Sequence, residues 1–466
     1  MNIPRKSIFK SIVGLTLLKF WKKETESSKN FFWTSNPFKE LKNPSHDLYL
    51  WGNGWYQAKP GSVPNFPNFS PKKQKFSLDK ANTQFPVPNL KNLASSEKIQ
   101  IGVDAKGNIW AFDNKKIPAQ KKDCTLPVHK QKIQKKSGET IIKNIPSQNF
   151  LSNLQNINTS GKAISVKIVL SNVFALNEKG ELYRSKLDAI QVGQPNWKKV
   201  SSVKNLKQIE SGKRHLLMLN KNGDVFAMGD DTHGQCGSGD LDRIFSGPFV
   251  SRVVRNPQEI QGLKGQQVDR IFAAGSHNFA LTKTGQVFGW GFNNLMQLGH
   301  EDQYSSPEQP RMAFFAPVNF SYFFKDHTVK DIALGLDFSL FICENNSNGI
   351  TNVFGMGHNS SGQLGSGFPR HIQKLTKCEP LSGFEVSTES GGRVPLKLSI
   401  SCGDKHCVSL GSNGALLIWG DNKDGQMGNK KRSFTGSPLI LSTFAGKKVT
   451  SFQAFGNQTY VNVDRE

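Results

Sequence analysis

The sequence predicts an all-β fold in which antiparallel hairpins repeat along the chain and close into a ring of seven blades. Three observations predict it: one strand–turn–strand pattern occurs six times between residues 99 and 428, its two halves occur separately near the chain ends, and helical periodicity is weak after residue 25. A single hairpin cannot bury an apolar face, whereas a closed ring of them buries the faces and leaves no open sheet edge.

Each copy of the pattern has the same order: a Gly-led apolar strand, a polar turn with Gly, an alternating strand that ends in an aromatic residue or Met before Gly, and then G-Q-x-G. The clear copies occupy residues 210–239, 273–299, 333–367 and 401–428, and degenerate copies occupy 99–114 and 166–185. Thr284-Gly285 supplies the positive φ that a tight hairpin turn needs. We assign structural roles, at the ring axis or in core packing, to Gly212, Gly275, Gly335, Gly403, Gly456, Trp51, Trp290 and Trp419.

The two half copies complement each other. Residues 47–57 hold only the second half, which ends in Trp51-Gly52, and residues 448–464 hold only the first half, around Gly456. Pairing of the N- and C-terminal strands would complete a seventh unit. The sequence therefore predicts one closed propeller domain over residues 47–464.

The order G-x-x-H-x-x-x-L, then G-x-V-aromatic-x-Trp/Met-G, then G-Q-x-G resembles the repeat of the regulator of chromosome condensation family. That resemblance implies a seven-bladed β-propeller. The spacing is longer than the family's, since Gly212, Gly275, Gly335 and Gly403 are separated by 63, 60 and 68 residues. Enlarged loops between blades account for this spacing.

Long connections at 58–97, 115–164, 300–328 and 366–396 all follow the Trp-Gly or G-Q-x-G turn and precede the next Gly-led strand. Insertions at one topological point gather on one face of a ring, so we expect one decorated face and one plainer face. The aromatic cluster in 300–328 supplies core, and any exposed member would mark a protein interface.

The N-terminal segment is basic and has no acid before Glu24. Its composition is typical of a mitochondrial targeting helix, and its 14-residue apolar stretch Ile8–Trp21 is shorter than the ~20 residues that usually span a bilayer. We expect a targeting or membrane-associated helix over 1–23, either retained or cleaved, and a linker over 24–46; an ordinary amphipathic helix docked on protein is the alternative. The membrane-contacting residues would be Ile8, Phe9, Ile12, Val13, Leu15, Leu17, Leu18, Phe20 and Trp21.

Positive charge is concentrated near the N-terminus. The chain carries a formal charge of +24, and residues 1–150 hold 26 Lys/Arg against 10 Asp/Glu. The Lys-rich stretch 115–140 is predicted to be either a solvated loop or a contact for an anionic partner, such as acidic protein or anionic lipid; nucleic acid is disfavoured because no aromatic side chain is available for base stacking. Its candidate residues are Lys115, Lys116, Lys121, Lys122, Lys130, Lys132, Lys135 and Lys136.

No catalytic motif is found: a Walker loop, G-x-S-x-G and H-E-x-x-H are all missing from the sequence. His215 and His406 fall at equivalent repeat positions, with Asn278, Phe338 and Thr459 at the others, which indicates a buried hydrogen-bonding position rather than a catalytic or metal site. Cys402 and Cys407 lack metal-ligand or CxxC spacing and are interpreted as core thiols. We predict no catalytic residue, no cofactor and no metal.

These observations favour a non-enzymatic scaffold at the mitochondrial inner membrane, with the propeller in the matrix, acting as an assembly factor or accessory subunit of a respiratory-chain complex. The expected partners are subunits of a membrane protein complex. The resemblance also implies two alternatives: a guanine nucleotide exchange factor for a small GTPase, or a protein associated with the mitochondrial ribosome or RNA. The exchange factor's wedge insertion has no identifiable counterpart in this sequence, so no exchange residue is assigned.

Overall fold

The computed structural model describes residues 46–52, 72–74, 90–96, 99–113, 128–134, 140–146, 152–153, 161–191, 195–239, 251–299, 313–387, 392–429 and 432–464. All of them lie in one compact unit, Ser45–Glu466. The expected N-terminal helix and its membrane-contacting residues lie outside the described residues, and so does the expected linker except for His46. Within the described residues, no helix has the length and apolar character needed to cross a bilayer.

Strands dominate the described residues. In chain order they are β1 (His46–Gly52), β2 (Lys72–Gln74), β3 (Leu90–Ser95), β4 (Ile99–Asp104), β5 (Ile109–Asp113), β6 (Val128–Gln134), β7 (Thr140–Pro146), β8 (Ser152–Asn153), β9 (Ala163–Val169), β10 (Asn172–Asn177), β11 (Leu182–Lys186), β12 (Lys198–Val200), β13 (Leu206–Ser211), β14 (His215–Asn220), β15 (Val225–Asp230), β16 (Val253–Glu259), β17 (Val268–Ala274), β18 (His277–Thr282), β19 (Val287–Phe292), β20 (Ala313–Asn319), β21 (His327–Leu334), β22 (Phe338–Asn345), β23 (Thr351–Gly357), β24 (Ile372–Lys377), β25 (Glu385–Ser387), β26 (Arg393–Pro395), β27 (Leu398–Cys402), β28 (His406–Gly411), β29 (Leu416–Gly420), β30 (Thr435–Ile440), β31 (Val449–Phe455) and β32 (Gln458–Asp464). The helical elements among these residues are α1 (Leu187–Gln191) and four single 3-10 turns at Gln261–Leu263, Ser321–Phe324, Glu379–Leu381 and Ser442–Phe444.

Six four-stranded antiparallel sheets use strands in chain order, and we number them sheets 1 to 6. They are β3-β4-β5-β8, β9-β10-β11-β12, β13-β14-β15-β16, β17-β18-β19-β20, β21-β22-β23-β24 and β27-β28-β29-β30. Two short hairpins, β6-β7 and β25-β26, are inserted between strands of these sheets. The predicted all-β propeller is confirmed.

Both chain ends contribute to one further sheet, which we call the terminal sheet. Its order is β2-β1-β32-β31, and β1 pairs antiparallel with β32 from His46 opposite Asp464 to Gly52 opposite Gln458. The two half copies of the repeat therefore meet in one sheet.

Hydrogen bonds link the first strands of neighbouring sheets. The Gln208 side chain in sheet 3 donates to Ile271 O at 2.7 Å and accepts from Ile271 N at 3.0 Å in sheet 4. Gln453 of the terminal sheet makes the same two contacts with Leu93 of sheet 1, at 2.9 and 3.2 Å. Ser401 of sheet 6 accepts from the backbone N of Ala454 in the terminal sheet at 3.0 Å. These bonds connect the terminal sheet to both sheet 1 and sheet 6.

Apolar side chains pack between adjacent sheets. The largest cluster lies around sheets 3 to 5, where the Phe279 and Phe341 rings meet edge to face with centroids 5.1 Å apart. Of the predicted aromatic cluster in 300–328, Phe314, Phe315 and Phe324 are buried in this region, whereas Tyr322 remains 40% exposed. Most of that cluster is therefore core.

The antiparallel order separates two faces. The turn between first and second strands and the connection between third and fourth strands emerge on one side, which we call the loop face; the remaining connections emerge on the opposite side, the turn face. The prediction that each long connection lies on one face is wrong. The fourth strands β2, β8, β20 and β24 lie inside the predicted connections 58–97, 115–164, 300–328 and 366–396, so each of these ranges crosses from the loop face to the turn face.

Candidate protein-binding face

The turn between the first and second strands takes two forms. In sheets 3 and 6 three residues separate the strands, and the backbone N of the leading glycine donates to the O of the following histidine: Gly212 to His215 and Gly403 to His406. A Cβ on Gly212 would lie 2.2 Å from the Cε1 of His215, so the buried ring leaves space only for glycine. In sheet 4 the turn has two residues, and Gly275 adopts a φ of +47°, which favours glycine for a conformational reason.

This difference in turn length corrects the repeat alignment. The structural equivalents of His215 are His277, Phe338, His406 and Gln458, because these residues lie opposite Gly229, Gly291, Gly357, Gly420 and Gly52 in their sheets. The assignment of Asn278 and Thr459 to that position was wrong by one residue. The two-residue turns at Gly275 and Gly456 cause the shift.

The buried histidines connect one sheet to the next. His215 Nε2 lies 2.6 Å from Asn278 Oδ1, and Asn278 Nδ2 donates to Gln235 O at 2.8 Å. His406 Nε2 lies 2.8 Å from Thr459 Oγ1, and that hydroxyl donates to Gln426 O at 2.7 Å. We call this chain of contacts, from a ring through a polar side chain to a glutamine carbonyl, the inter-sheet relay.

Sheets 4 and 5 repeat the relay through His277, Ser339 and Gln297, with distances of 3.1 and 2.6 Å. At the junction of the terminal sheet and sheet 1, Gln100 Nε2 donates to Gln458 Oε1 at 2.7 Å. In each histidine relay the middle group uses its hydrogen to reach a carbonyl, so it accepts from the ring, and Nε2 carries the proton. The three rings therefore donate from Nε2.

Burial holds these rings in the neutral state. It lowers the pKa of His215 to about 4, of His277 to about 3 and of His406 to about 4, because the charged imidazolium loses its hydration. For His277 the nearby His215 adds to the effect. These histidines are engaged in joining sheets rather than in proton transfer at the surface.

The glutamine of each G-Q-x-G turn has two structural tasks. Its side chain accepts from the backbone two residues earlier, as Gln235 Oε1 does from His233 N at 2.8 Å, and its carbonyl faces the next sheet. Trp290 Nε1 donates to Gln235 O at 3.2 Å and Trp419 Nε1 to Gln363 O at 2.9 Å, and both indoles are fully buried. The sequence interpretation considered only the glycines of this motif; the repeated glutamine was the signal that pointed to the relay.

Four charged side chains lie in first turns on the loop face. They are Lys213 in sheet 3, Asp337 in sheet 5, and Asp404 and Lys405 in sheet 6. The turns of sheets 5 and 6 bond directly, since Leu336 N donates to Asp404 O at 3.1 Å. Burial raises the pKa of Asp337, as does Asp404, while Lys213 and Lys405 oppose the rise. We call these four residues the axial rim. The sequence analysis did not single them out, since no repeat position fixes their charge.

The other predicted site residues are placed as follows. The backbones of Lys130 and Lys132 lie in β6 of the β6-β7 hairpin, which belongs to the loop-face connection of sheet 1. The remaining candidates of the basic stretch lie outside the described residues. Trp51 pairs with Thr459 in the terminal sheet. Among the described residues no cluster of three metal-binding side chains occurs.

Sequence profiles of one family match the region that contains these relays. The profile described as Regulator of chromosome condensation (RCC1) repeat matches residues 222–281 and 284–342, and a second profile of the same description matches 206–235 and 398–426. Residues 206–281, 284–342 and 398–426 therefore match the RCC1 repeat. The family resemblance inferred from the sequence motifs is confirmed.

Curated relatives match part of this chain. Human E3 ubiquitin-protein ligase HERC2 is 26% identical over 329 residues, which cover 59% of this chain and 6% of HERC2. Human Protein RCC2 is 25% identical over 242 residues, covering 49% of this chain and 42% of RCC2. The chain thus spans less than half the length of the curated relatives it matches.

Solved structures show the same fold. Human WBSCR16 superposes with a TM-score of 0.60 at 16% identity, covering 90% of this chain and 99% of that one. Prp20p from Saccharomyces cerevisiae superposes with a TM-score of 0.59 at 19% identity, covering 91% and 93%. These similarities show the propeller architecture.

Proposed function

We propose that this chain is a non-enzymatic, protein-binding propeller: a closed ring of seven blades that presents its loop face to a partner. The single observation that carries the proposal is that the buried polar groups join sheets to one another. The relay histidines and glutamines are committed to joining sheets, whereas the axial rim and the longest connections lie together on the loop face. A rigid ring with charges at one end is suited to recognition by contact.

We further propose that the chain acts at the mitochondrial inner membrane, with the propeller in the matrix, as an assembly factor or accessory subunit of a respiratory-chain complex. The support is the sequence of residues 5–23, which combines Arg5 and Lys6 with an apolar stretch and contains no acid. The basic stretch 115–140 would add contacts to acidic protein or anionic lipid.

Location can be tested with a reporter. Fluorescent protein fused to residues 1–30 is expected to enter mitochondria, and full-length protein is expected to sediment with inner-membrane fractions and resist protease until those membranes are opened. A nuclear or diffuse reporter would contradict the mitochondrial proposal. That result would not bear on binding by the loop face, which the next experiment tests.

Binding by the loop face can be tested by charge reversal. Lys213→Glu changes an exposed lysine on the axial rim, and Lys221→Glu is the matched control, an exposed lysine of the same sheet on the turn face. Full-length protein would be purified by affinity from solubilised membranes, and co-purifying subunits identified by mass spectrometry. We expect partners to be lost with Lys213→Glu and retained with Lys221→Glu; equal loss or equal retention would contradict the loop-face assignment.

A second candidate is guanine nucleotide exchange on a small GTPase. One observation favours it: the similar structure of Prp20p is described with its binding to Gsp1p and histones, and Prp20p shares this architecture over most of both chains. Measuring nucleotide release from small GTPases loaded with fluorescent GDP would distinguish exchange activity from the scaffold proposal. Acceleration by the full chain, lost with Lys213→Glu, would favour exchange activity over the scaffold proposal.

A further inference from the structure

Two cysteines lie side by side next to the axial rim. Cys402 ends β27 and Cys407 lies in β28, and they are direct partners in the antiparallel register. Gly403 N donates to His406 O, so the next pair outward, Cys402–Cys407, is a non-hydrogen-bonded pair. Cα atoms in such pairs are about 4.5 Å apart, which lies inside the range that a disulfide spans.

The sulfur atoms are already in contact. Cys402 Sγ lies 2.7 Å from Cys407 Sγ, and both cysteines are free thiols. A metal held between two thiolates, with metal–sulfur bonds of about 2.3 Å, would separate the sulfurs by roughly 3.7 Å or more. The spacing therefore favours a bond between the sulfurs over a shared metal ion.

The two thiols differ in access. Cys407 is fully buried, and burial raises the pKa of its thiol. Cys402 is half-buried, so it can meet a dissolved disulfide. The interpretation of both residues as core thiols is confirmed for Cys407. Cys402 packs against the same apolar cluster but is only partly buried, because it lies at the end of its strand beside the rim turn.

The surrounding relay tolerates loss of the Cys407 thiol hydrogen. Cys407 occupies the middle relay position between sheets 5 and 6, with its Sγ 3.5 Å from Gln363 O. Its neighbour at the histidine position is Phe338, which needs no acceptor, and Gln363 O keeps the 2.9 Å hydrogen bond from Trp419. Asn278, Ser339 and Thr459 must accept from a histidine, whereas Cys407 need not.

We propose that Cys402 and Cys407 form a reversible disulfide by exchange with a small disulfide such as oxidised glutathione. The Cys402 thiolate, after losing its proton to water, attacks one glutathione sulfur and releases one glutathione thiolate. Cys407 loses its proton to that thiolate and attacks the Cys402 sulfur, which releases the second glutathione as a thiolate; this thiolate takes up the proton that Cys402 gave to water. Two protein thiols and one glutathione disulfide thus become one protein disulfide and two glutathione thiols.

This disulfide is suited to exchange rather than to permanent stabilisation. It would enclose only the short turn Gly403–His406, and loop-closure stabilisation is smallest for short loops. That turn carries Asp404 and Lys405 of the axial rim, and Asp404 N donates to Gly456 O at 2.7 Å. Oxidation would therefore act on a turn that contacts two neighbouring sheets.

The sequence provides a direct assay. Lys397, Lys405 and Lys423 are trypsin sites, so tryptic peptides 398–405 and 406–423 stay together only through a disulfide between Cys402 and Cys407. Full-length protein would be equilibrated with mixtures of reduced and oxidised glutathione, alkylated and digested. The linked peptide pair is expected to increase with the oxidised fraction and to disappear when reduced glutathione is restored.

Variants separate this pair from other pairings. Cys402→Ser is expected to abolish the linked pair, while Cys343→Ala, a buried cysteine in sheet 5, is the matched control and should preserve it. Alkylation of the folded, reduced wild type should label Cys402 faster than Cys407. The proposal is overturned if folded protein shows no linked pair in oxidised glutathione, if Cys407 links to Cys378 instead, or if reduced glutathione cannot reverse the link.

Discussion

Single glycines in this propeller meet two different physical demands. Gly212 and Gly403 leave room for a buried imidazole, whereas Gly275 and Gly456 allow left-handed turns, with φ of +47° and +49°. All four positions are glycine in the sequence. Sequence analysis could therefore locate the turns but could not determine their length, and the one-residue error at Asn278 and Thr459 followed.

Gly275→Ala and Gly456→Ala form a matched pair. Both place a side chain in the same two-residue turn at nearly the same φ, but a Cβ at Gly275 would lie 1.9 Å from Leu336 O, whereas the Cβ at Gly456 meets nothing within 4 Å. We expect Gly456→Ala to lower the free energy of unfolding by about 1–2 kcal/mol, and Gly275→Ala to cost about 1–3 kcal/mol more. Urea unfolding would measure both, and equal costs would contradict the steric argument.

The relay histidines should make the fold sensitive to acid. Their pKa is about 3 to 4 when folded and 6.5 in the reference state, so protons bind the unfolded chain first. Stability that depends on the neutral rings is fully present above pH 6.5 and is lost as the pH falls from 6.5 towards 4. Thermal melting across pH 7.5 to 4.5 is expected to show this fall.

His406→Gln would identify the contribution of one ring. Glutamine occupies the equivalent position naturally at Gln458, and it does not titrate. We expect this variant to reduce the pH dependence of the melting temperature, because one buried ring no longer titrates. If the melting temperature of His406→Gln depends on pH as steeply as that of the wild type, the acid sensitivity comes from other groups.

Strands and their connections were more predictable than the contacts between sheets. The turn at Thr284-Gly285 and the alternation around it identify β18 and β19, because local sequence determines a hairpin. Relay partners such as His215 and Asn278 are 63 positions apart and belong to different sheets, so no local pattern pairs them. The bounds of the connection 366–396 were wrong for a related reason, because the sequence pattern did not reveal that β24 lies within it.

Thr459→Val tests one junction between elements. Valine keeps the shape but removes the hydroxyl that accepts from His406 and donates to Gln426 O, leaving two buried groups without this partner. We expect a loss of about 1–3 kcal/mol in the free energy of unfolding. Thr443→Val, at an exposed threonine of the 3-10 turn Ser442–Phe444, should change it by less than about 0.5 kcal/mol. Similar effects of the two variants would argue against the relay as a source of stability.

Both chain ends contribute strands to the terminal sheet. The half copies at 47–57 and 448–464 made this pairing predictable, since each lacks what the other contains. In the terminal sheet β32 pairs with β31 on one side and β1 on the other. The identity of the partner could not be predicted, because the charges of the axial rim follow no repeat.

Removal of β1 should destabilise the entire propeller. Residues 45–466 retain β1 and are expected to melt cooperatively as a monomer, whereas residues 58–466 leave β32 with an unpaired edge and should aggregate or melt at lower temperature. Size-exclusion chromatography and calorimetry would compare the two. A synthetic peptide of residues 45–57 should partly restore the shorter protein; indistinguishable behaviour of the two proteins would show that β1 is dispensable.

The first turns also differ in length from sheet to sheet, so the loop face lacks rotational symmetry. Three residues project at Gly212 and Gly403 but two at Gly275 and Gly456, and the lysines and aspartates are distributed unevenly among them. A ligand seated there would meet a different surface after each rotation about the axis. The propeller should consequently hold one molecule in one orientation, with a stoichiometry of one to one.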